Sequence, residues 1–383
     1  MRRLAGLELN ALLHAGGLPE ADFEGTRVAS AGTPVHDVNG ELLLHRAPIA
    51  RGREGVGYVD VAAHAAFGDV VLAVSHGAAW DAQALLRAAA REARRHLKGA
   101  RHDDVRFVAY SFPKIAVQFL AEGRELVMLE LYTWRPVPPA RRSAKVSPPS
   151  NFERWSFLDR MPAARVRKRT EQLRARLEHW ERRAPTRRFK PEQLDVAAFR
   201  RAFGLSARPL FADTRELHYT TDDADHHACY ELRAQQTNVW CVAASVKMVL
   251  DFYRYEYAQT RVASELGLGT VSAPSGLPYS HDSWVVDTLQ KLSSKSLTAN
   301  MNTSPTWAEF RSEIRANRPL VSFIPGHSRT VVGYFRSQVF SWHSFRGLLV
   351  YDPWPPATGV ITRWENFDAQ TYRVSFSAHV TTV

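Results

Sequence analysis

QQTNVWCVAASVKMVLDF (residues 235–252) is the stretch that decides how this chain folds. Apolar residues recur at helical spacing at Val242, Val246 and Val249, and only a narrow stripe of the pattern is polar. This periodicity predicts a helix that is buried on most sides. Cys241 stands at its first turn, where unpaired backbone N–H groups and the positive end of the helix dipole favour a thiolate. The stretch therefore predicts an activated cysteine nucleophile.

A glutamine upstream of this cysteine is a candidate oxyanion donor. Gln235 precedes Cys241 by six residues, and the entering loop can return its side-chain amide to the space beside the thiol. Gln236 is adjacent, so the sequence leaves open which of the two glutamines is the donor.

Two strands near the C-terminal end of the chain predict a histidine–aspartate pair. RTVVGYF (329–335) follows His327, and GLLVYD (347–352) ends at Asp352. Consecutive strands joined by a short connection usually run antiparallel, so the start of the first lies beside the end of the second. We therefore expect His327 beside Asp352, the arrangement in which a base takes a thiol proton and a carboxylate fixes its tautomer. Spacing alone does not place this pair beside Cys241.

These residues resemble the bacterial papain-like cysteine peptidases, including the leader peptidases of bacteriocin exporters and related effector proteases. The matching pieces occur in the family's order and are Q-x5-C at 235–241, GH-x3-VVGY at 326–334 and VYDP at 350–353. The resemblance covers about residues 210–383, and we expect residues 206–383 to form a papain-like cysteine peptidase domain. It implies the following roles: Cys241 as nucleophile, His327 as general base and acid, Asp352 as orienting residue and Gln235 as oxyanion donor.

The chain departs from the family at a few positions. Val242 follows the nucleophile where many relatives have Gly or Trp, and Arg329 and His343 lie near the predicted base. We keep His327 as the base because His343 falls within the hairpin connection, at the far end from Asp352.

The resemblance implies a cysteine peptidase that hydrolyses a peptide or isopeptide bond in a peptide or protein substrate, without cofactor or metal. The same acyl-enzyme can instead transfer its acyl group to an amine, so a transpeptidase or crosslinking enzyme of the same fold is an alternative. A second alternative is a non-catalytic binding module with a degenerate papain-like site. In a third interpretation, residues 1–205 are an inhibitory pro-segment.

The first 134 residues predict a separate α+β domain. Strand patterns at 33–61 include an Asn39-Gly40 turn, and the strand at 70–75 leads into a helix that ends near Lys98. Three more strands follow, and the last two alternate cleanly, which predicts a helix packed on one face of an antiparallel sheet. This arrangement resembles cystatin-like folds. The histidines of the region have no spacing that metal or acid–base chemistry needs.

The net charge of +11 lies in one connecting segment. Residues 135–205 predict a Pro-rich linker, a basic helix at about 162–183 and a short helix that ends at Gly204. Residues 141–205 hold 18 Lys and Arg against 7 Asp and Glu, whereas the rest of the chain holds 32 of each sign. One interpretation is an acidic partner or an anionic surface, and the other is a solvated arginine face on a docked helix. We do not expect a nucleic-acid partner, because no base-stacking motif or zinc finger accompanies the charge.

Composition bounds the remaining possibilities. With 383 residues, 45% hydrophobic and 23% charged, the chain has the profile of a globular protein of two domains. No apolar run approaches the ~20 residues that span a bilayer. The N-terminus is a poor signal peptide, so we expect a cytoplasmic protein, and two cysteines argue against a disulfide scaffold. One polar stretch matches no common zinc spacing; its residues are His218, His226, His227 and Cys229.

Overall fold

The computed structural model describes residues 1–77, 80–139, 154–183, 189–217 and 231–381. Its α-helices are α1 (Arg2–His14), α2 (Glu20–Phe23), α3 (Ala82–Leu97), α4 (Ala163–Arg183), α5 (Val196–Phe203), α6 (Cys241–Phe252), α7 (Gln259–Glu265), α8 (Trp284–Leu292) and α9 (Trp307–Arg315). The first eight strands are β1 (Arg27–Val28), β2 (Thr33–Asp37), β3 (Leu42–Arg51), β4 (Glu54–Ala62), β5 (Val71–His76), β6 (Asp104–Ser111), β7 (Lys114–Ala121) and β8 (Arg124–Glu130). The others are β9 (Phe211–Glu216), β10 (Leu297–Asn302), β11 (Leu320–Ile324), β12 (His327–Phe340), β13 (His343–Asp352), β14 (Val360–Asn366) and β15 (Val374–Val380). The predicted α+β class is confirmed.

The described strands join into one sheet that runs through both halves of the chain. Its order is β10-β15-β11-β12-β13-β14-β5-β4-β3-β2-β6-β7-β8, with β1 beside β3 and β9 beside β12. The two halves meet where β14 pairs antiparallel with β5, and Trp364 lies opposite Val74. The C-terminal strands therefore continue the N-terminal sheet.

The N-terminal helix α1 is part of the same core. Leu9 and Leu12 are buried in one cluster with Phe335 of β12. The indole N–H of Trp364 donates to the carbonyl of Gly17, which fixes the end of α1 against β14. The halves thus share apolar contacts as well as strand pairing. The predicted domain boundaries at residues 134 and 205 stay a prediction.

The basic helix α4 docks on the body of the protein through one face. Trp180 is fully buried, and its indole N–H donates to Glu8 of α1 at 2.7 Å. Arg176 binds the same carboxylate at 2.6 Å and Asp69 at 3.2 Å. Arginines on the opposite face, such as Arg174, are exposed. An acidic partner for that face stays a proposal, and residues 141–153 of the basic segment lie outside the described residues.

Local signals set several helix starts, and two details differ from the sequence prediction. Thr306 caps α9 in a capping box with Glu309. The position of Asp282 just before Trp284, Val285 and Leu289 predicts that it caps α8, and this prediction is wrong. Its carboxylate binds the guanidinium of Arg373 at 2.9 Å, and α8 has no side-chain cap. The predicted loop between β12 and β13 is also shorter, since both strands extend until only residues 341–342 separate them.

Two absences concern the described part of the chain alone. No described helix is both long enough and apolar enough to cross a membrane. No group of three or more His, Cys, Asp or Glu side chains within the described ranges is arranged to hold a metal ion. The polar stretch from His218 to Cys229 lies outside those ranges. The cystatin-like resemblance of the N-terminal strands stays a prediction.

Candidate active site

Cys241 is the first residue of α6, and only 2% of it is exposed. Burial raises the pKa of its thiol to about 11, although Lys114 and the backbone N–H groups of Ser328 and Val242 lower it. Desolvation therefore outweighs the helix N-terminus, which the sequence predicted to favour the thiolate. In this conformation the sulfur is a protonated thiol at neutral pH.

His327 and Asp352 meet where β12 begins and β13 ends. Thr330 pairs with Tyr351 in this antiparallel ladder. The pairing brings the side chain of His327 next to that of Asp352. Nε2 of His327 lies 2.7 Å from Oδ1 of Asp352, and the same oxygen accepts the backbone N–H of Trp354 at 2.9 Å. The carboxylate accepts and does not donate, so Nε2 carries the hydrogen and Nδ1 keeps a free lone pair.

The imidazole is buried, and its environment keeps it neutral. Burial lowers the pKa of His327, although the neighbouring Asp352 raises it. Nδ1 is buried and has no hydrogen-bond partner among the described residues. A neutral imidazole whose Nδ1 carries no hydrogen is suited to accept a proton.

The thiol of Cys241 lies beside the start of β12. The hydroxyl of Thr330 in β12 donates to the carbonyl of Ser245 in α6 at 3.2 Å. The backbone N–H of Ser328, the residue after His327, lowers the pKa of the Cys241 thiol. The bond between Thr330 and Ser245 brings α6 to the same end of β12 as the histidine–aspartate pair, across 85 residues of sequence. The helix start and the hairpin end therefore converge at one place in the fold.

Gln235 lies on the inside of the loop that enters α6, whereas its neighbour Gln236 is exposed. The backbone N–H of Gln235 donates to Pro353 at 3.0 Å, and its carbonyl accepts from Ala357 at 3.2 Å. These bonds tie the loop to the chain just after Asp352. The side-chain Nε2 donates to the carbonyl of Thr237 at 2.7 Å, which leaves its second N–H for another acceptor.

The other two polar residues noted near the predicted base have partners elsewhere. His343 lies at the far end of the hairpin, fully buried, with Nε2 2.9 Å from Glu8. Arg329 binds Glu365 at 3.0 Å and is also buried. Both side chains join α1 or β14 to the hairpin.

A turn from the N-terminal half covers the site, and sequence reasoning missed it. Residues 112–113 connect β6 to β7, and the hydroxyl of Ser111, the last residue of β6, donates to the carbonyl of Pro325 at 3.3 Å. A Cβ on Gly326, whose φ is +70°, would lie 2.4 Å from that hydroxyl oxygen. The approach is therefore close enough to need glycine directly before His327. The available signal in the sequence was Lys114, which begins a strand whose other residues, apart from Gln118, are apolar.

More N-terminal side chains close the space around Asp352. Glu130 of β8 accepts the indole N–H of Trp354 at 3.1 Å and the hydroxyl of Tyr110. Phe112 lines, together with Asp352, a small cavity of about 40 Å³. The thiol, the imidazole and the carboxylate are all buried in this conformation. In this conformation the sulfur of Cys241 is closed off from solvent.

Comparisons with known proteins locate the likeness in the C-terminal half. Residues 229–378 match the model of the Peptidase_C39-like family. One similar solved structure is that of a double-glycine-motif protease from an AMS/PCAT transporter in complex with the leader peptide. It shares 15% identity over 39% of this chain and 91% of that chain, with a TM-score of 0.24, which establishes no shared atomic arrangement. No curated protein matches the chain. The family match confirms the predicted resemblance of the C-terminal half to papain-like peptidases.

Proposed function

We propose that the chain is a cysteine peptidase that cleaves a peptide or isopeptide bond. Cys241 is the nucleophile, His327 the general base and acid, and Asp352 the residue that orients the imidazole. The observation that carries the proposal is the 2.7 Å bond from His327 Nε2 to Asp352, which leaves the buried Nδ1 without a hydrogen-bond partner among the described residues. His327 directly precedes Ser328, whose backbone N–H lowers the pKa of the Cys241 thiol. A base needs that arrangement to take a thiol proton.

The reaction follows from these positions. Nδ1 of His327 takes the thiol proton, and the sulfur of Cys241 attacks the substrate carbonyl carbon. The second N–H of Gln235 and the backbone N–H of Cys241 donate to the resulting oxyanion. The imidazolium returns the proton to the leaving amine as the C–N bond breaks, and a thioester remains on Cys241. Water, deprotonated by His327, then hydrolyses the thioester and frees the carboxylic acid.

The buried state of the site favours a second candidate, a binding module that does not turn over. The thiol is 2% exposed, its pKa is raised to about 11 by burial, and Gln235 already donates to Thr237. A degenerate site would have the same features permanently. A latent peptidase has them only while the β6–β7 turn covers the cysteine.

Peptide cleavage separates the two candidates. The full chain is incubated with a peptide library, and products are read by mass spectrometry alongside Cys241→Ala and His327→Ala. We expect cleavage by the parent chain and none by either variant. His96→Ala is the matched control, since that histidine is exposed on α3, and it should cleave as the parent does.

Two results would reject the peptidase. Library peptides cut equally by the parent and by Cys241→Ala would assign the activity to a contaminant. Complete lack of cleavage by the parent, with the peptides retained on the protein, would leave the binding module. Transfer to an amine instead of water would appear as a product heavier than the hydrolysis product by the added amine minus water.

A further inference from the structure

Glu130 is a fully buried carboxylate that the proposed reaction does not use. It is the last residue of β8 in the N-terminal half, and none of its surface is exposed. A buried carboxylate is costly unless hydrogen-bond donors face it. It accepts the hydroxyl of Tyr110, the hydroxyl of Thr133 at 2.6 Å and the indole N–H of Trp354 at 3.1 Å. Among these three donors, only Trp354 belongs to the C-terminal half.

Trp354 packs in the core of the N-terminal half. It is 5% exposed, and it belongs to a buried cluster whose members, apart from Trp354 and Ala369, all lie within residues 35–157. The ring of Tyr132, which follows β8, meets the indole edge-on, with the ring centroids 5.8 Å apart. The bond to Glu130 therefore fixes the direction of the indole inside this core.

Trp354 also contacts the carboxylate of the candidate active site. Its backbone N–H donates to Oδ1 of Asp352 at 2.9 Å, and the same oxygen lies 2.7 Å from Nε2 of His327. Only Pro353 separates Trp354 from Asp352, and the fixed φ of proline limits how far the two can rotate apart. A continuous series of hydrogen bonds and one short backbone link thus runs from Glu130 to His327. Displacing the indole would move the backbone donor that orients Asp352.

We propose that Glu130 is a positioning residue of the peptidase site, which acts through Trp354 on the carboxylate of Asp352 that orients His327. The inference rests on the proposed function and adds a residue of the N-terminal half to the site. The N-terminal half is then a working part of the enzyme, whereas an inhibitory pro-segment could be removed with a gain in activity.

Trp354→Phe tests this role and leaves Glu130 bound to Tyr110 and Thr133. We expect kcat for a library peptide that the parent cleaves to fall about tenfold or more with little change in KM, because a misplacement of about 1 Å can cost about a hundredfold in rate. Glu130→Met should have the same effect. Glu130→Gln keeps an acceptor oxygen for the indole and should retain most of the parent's rate.

Trp180→Phe is the matched control for loss of an indole N–H. The indole of Trp180 also donates to a buried glutamate, Glu8, at 2.7 Å, but it lies on α4 and not at the site. This variant should therefore keep the kcat of the parent. The double variant of Glu130→Met and Trp354→Phe should be no slower than Trp354→Phe alone, because both changes break the same series of contacts.

NMR of protein labelled with ¹⁵N-histidine measures the contact without turnover. We expect the Nε2 proton of His327 at low field in the parent, because it is hydrogen-bonded to Asp352. In Trp354→Phe and Glu130→Met it should move to higher field or be lost to exchange with water, and in Trp180→Phe it should stay in place. Urea unfolding of each variant shows which proteins are folded under the assay conditions.

Two results would overturn the inference. One is an unchanged kcat and an unmoved Nε2 proton in Trp354→Phe. The other is additive losses in the double variant, which would show that Glu130 acts independently of Trp354. The two measurements also separate this inference from the proposed function. Cleavage by the parent with an unmoved proton in the variants rejects only the role of Glu130, and a moved proton in a chain that cleaves no peptide rejects only the peptidase.

Discussion

Arg176→Met tests whether the basic helix α4 is held by a buried charge network. Arg176 binds Glu8 at 2.6 Å and Asp69 at 3.2 Å, and Glu8 is 1% exposed. Removing one partner of a buried pair leaves the other charge without compensation, which costs about 3–5 kcal/mol. Trp180 and His343 still bind Glu8 in the variant. We therefore expect the free energy of unfolding to fall by about 3 kcal/mol, the lower end of this range.

Urea unfolding at pH 7 measures this loss as a change in the free energy of unfolding. Arg174→Met on the exposed face of α4 is the matched control and should match the parent within error. A loss below about 1 kcal/mol in Arg176→Met would refute the reasoning, since an exposed ion pair contributes no more than that. It would mean that packing of Leu173 and Leu177 holds the helix, and the arginine is incidental.

The same variant changes the pH dependence of stability. Burial would raise the pKa of Glu8, but Arg176 and His343 outweigh it and hold the pKa below the ordinary value of 4.5. A depressed carboxylate pKa stabilises the fold above the unfolded value, and this contribution is lost as the pH falls below about 4.5. In Arg176→Met the loss of unfolding free energy between pH 7 and pH 3.5 should be smaller, because burial then opposes the ionisation of Glu8. Unfolding curves at pH 7 and pH 3.5 measure the difference.

Three further predictions concern single positions. Gly326→Ala should reduce the free energy of urea unfolding by about 1–2 kcal/mol, because φ is +70° and the new Cβ meets Ser111; an unchanged value would contradict the close approach. Asp352→Asn should lower the pKa of His327 in an NMR titration, because the carboxylate raises it; an upward shift would contradict the pairing. Thr306→Ala should cost about 1 kcal/mol in thermal unfolding through loss of the cap, and an unaltered midpoint would argue against the capping box.

The sequence allowed good predictions wherever the deciding contacts are local. The apolar spacing of 242–249 predicts α6, and the two short strands around Asp352 predict their antiparallel pairing, because both depend on residues close in the chain. The cap at Asp282 failed for the opposite reason. Its carboxylate binds Arg373, 91 residues away. The sequence around Asp282 contains no feature that predicts this partner.

The pairing of the N-terminal and C-terminal halves into one sheet is the largest feature that could not be predicted from the sequence. β5 and β14 both have ordinary strand patterns, and a strand pattern does not say which edge another strand will join. A second non-local contact explains why the thiol of Cys241 differs from the sequence prediction. The helix start does favour ionisation of Cys241, but the β6–β7 turn removes water from it, and the turn lies 130 residues earlier in the chain. The pKa depends on that cover, which only the fold reveals.

Opening of the site is therefore expected to be local. Separating the halves would break the β5–β14 ladder and expose the core around α1. Moving residues 111–113 breaks the Ser111–Pro325 bond and loosens the packing near Trp354, and a neutral bond contributes only about 1 kcal/mol. Such a movement admits water as well as peptide. Since burial is what raises the thiol pKa to about 11, hydration returns it toward the ordinary 9.0 while Lys114 lowers it further. For the proposed peptidase, we therefore predict that the movement that gives a substrate access to Cys241 also favours its thiolate, so that access and activation are one event.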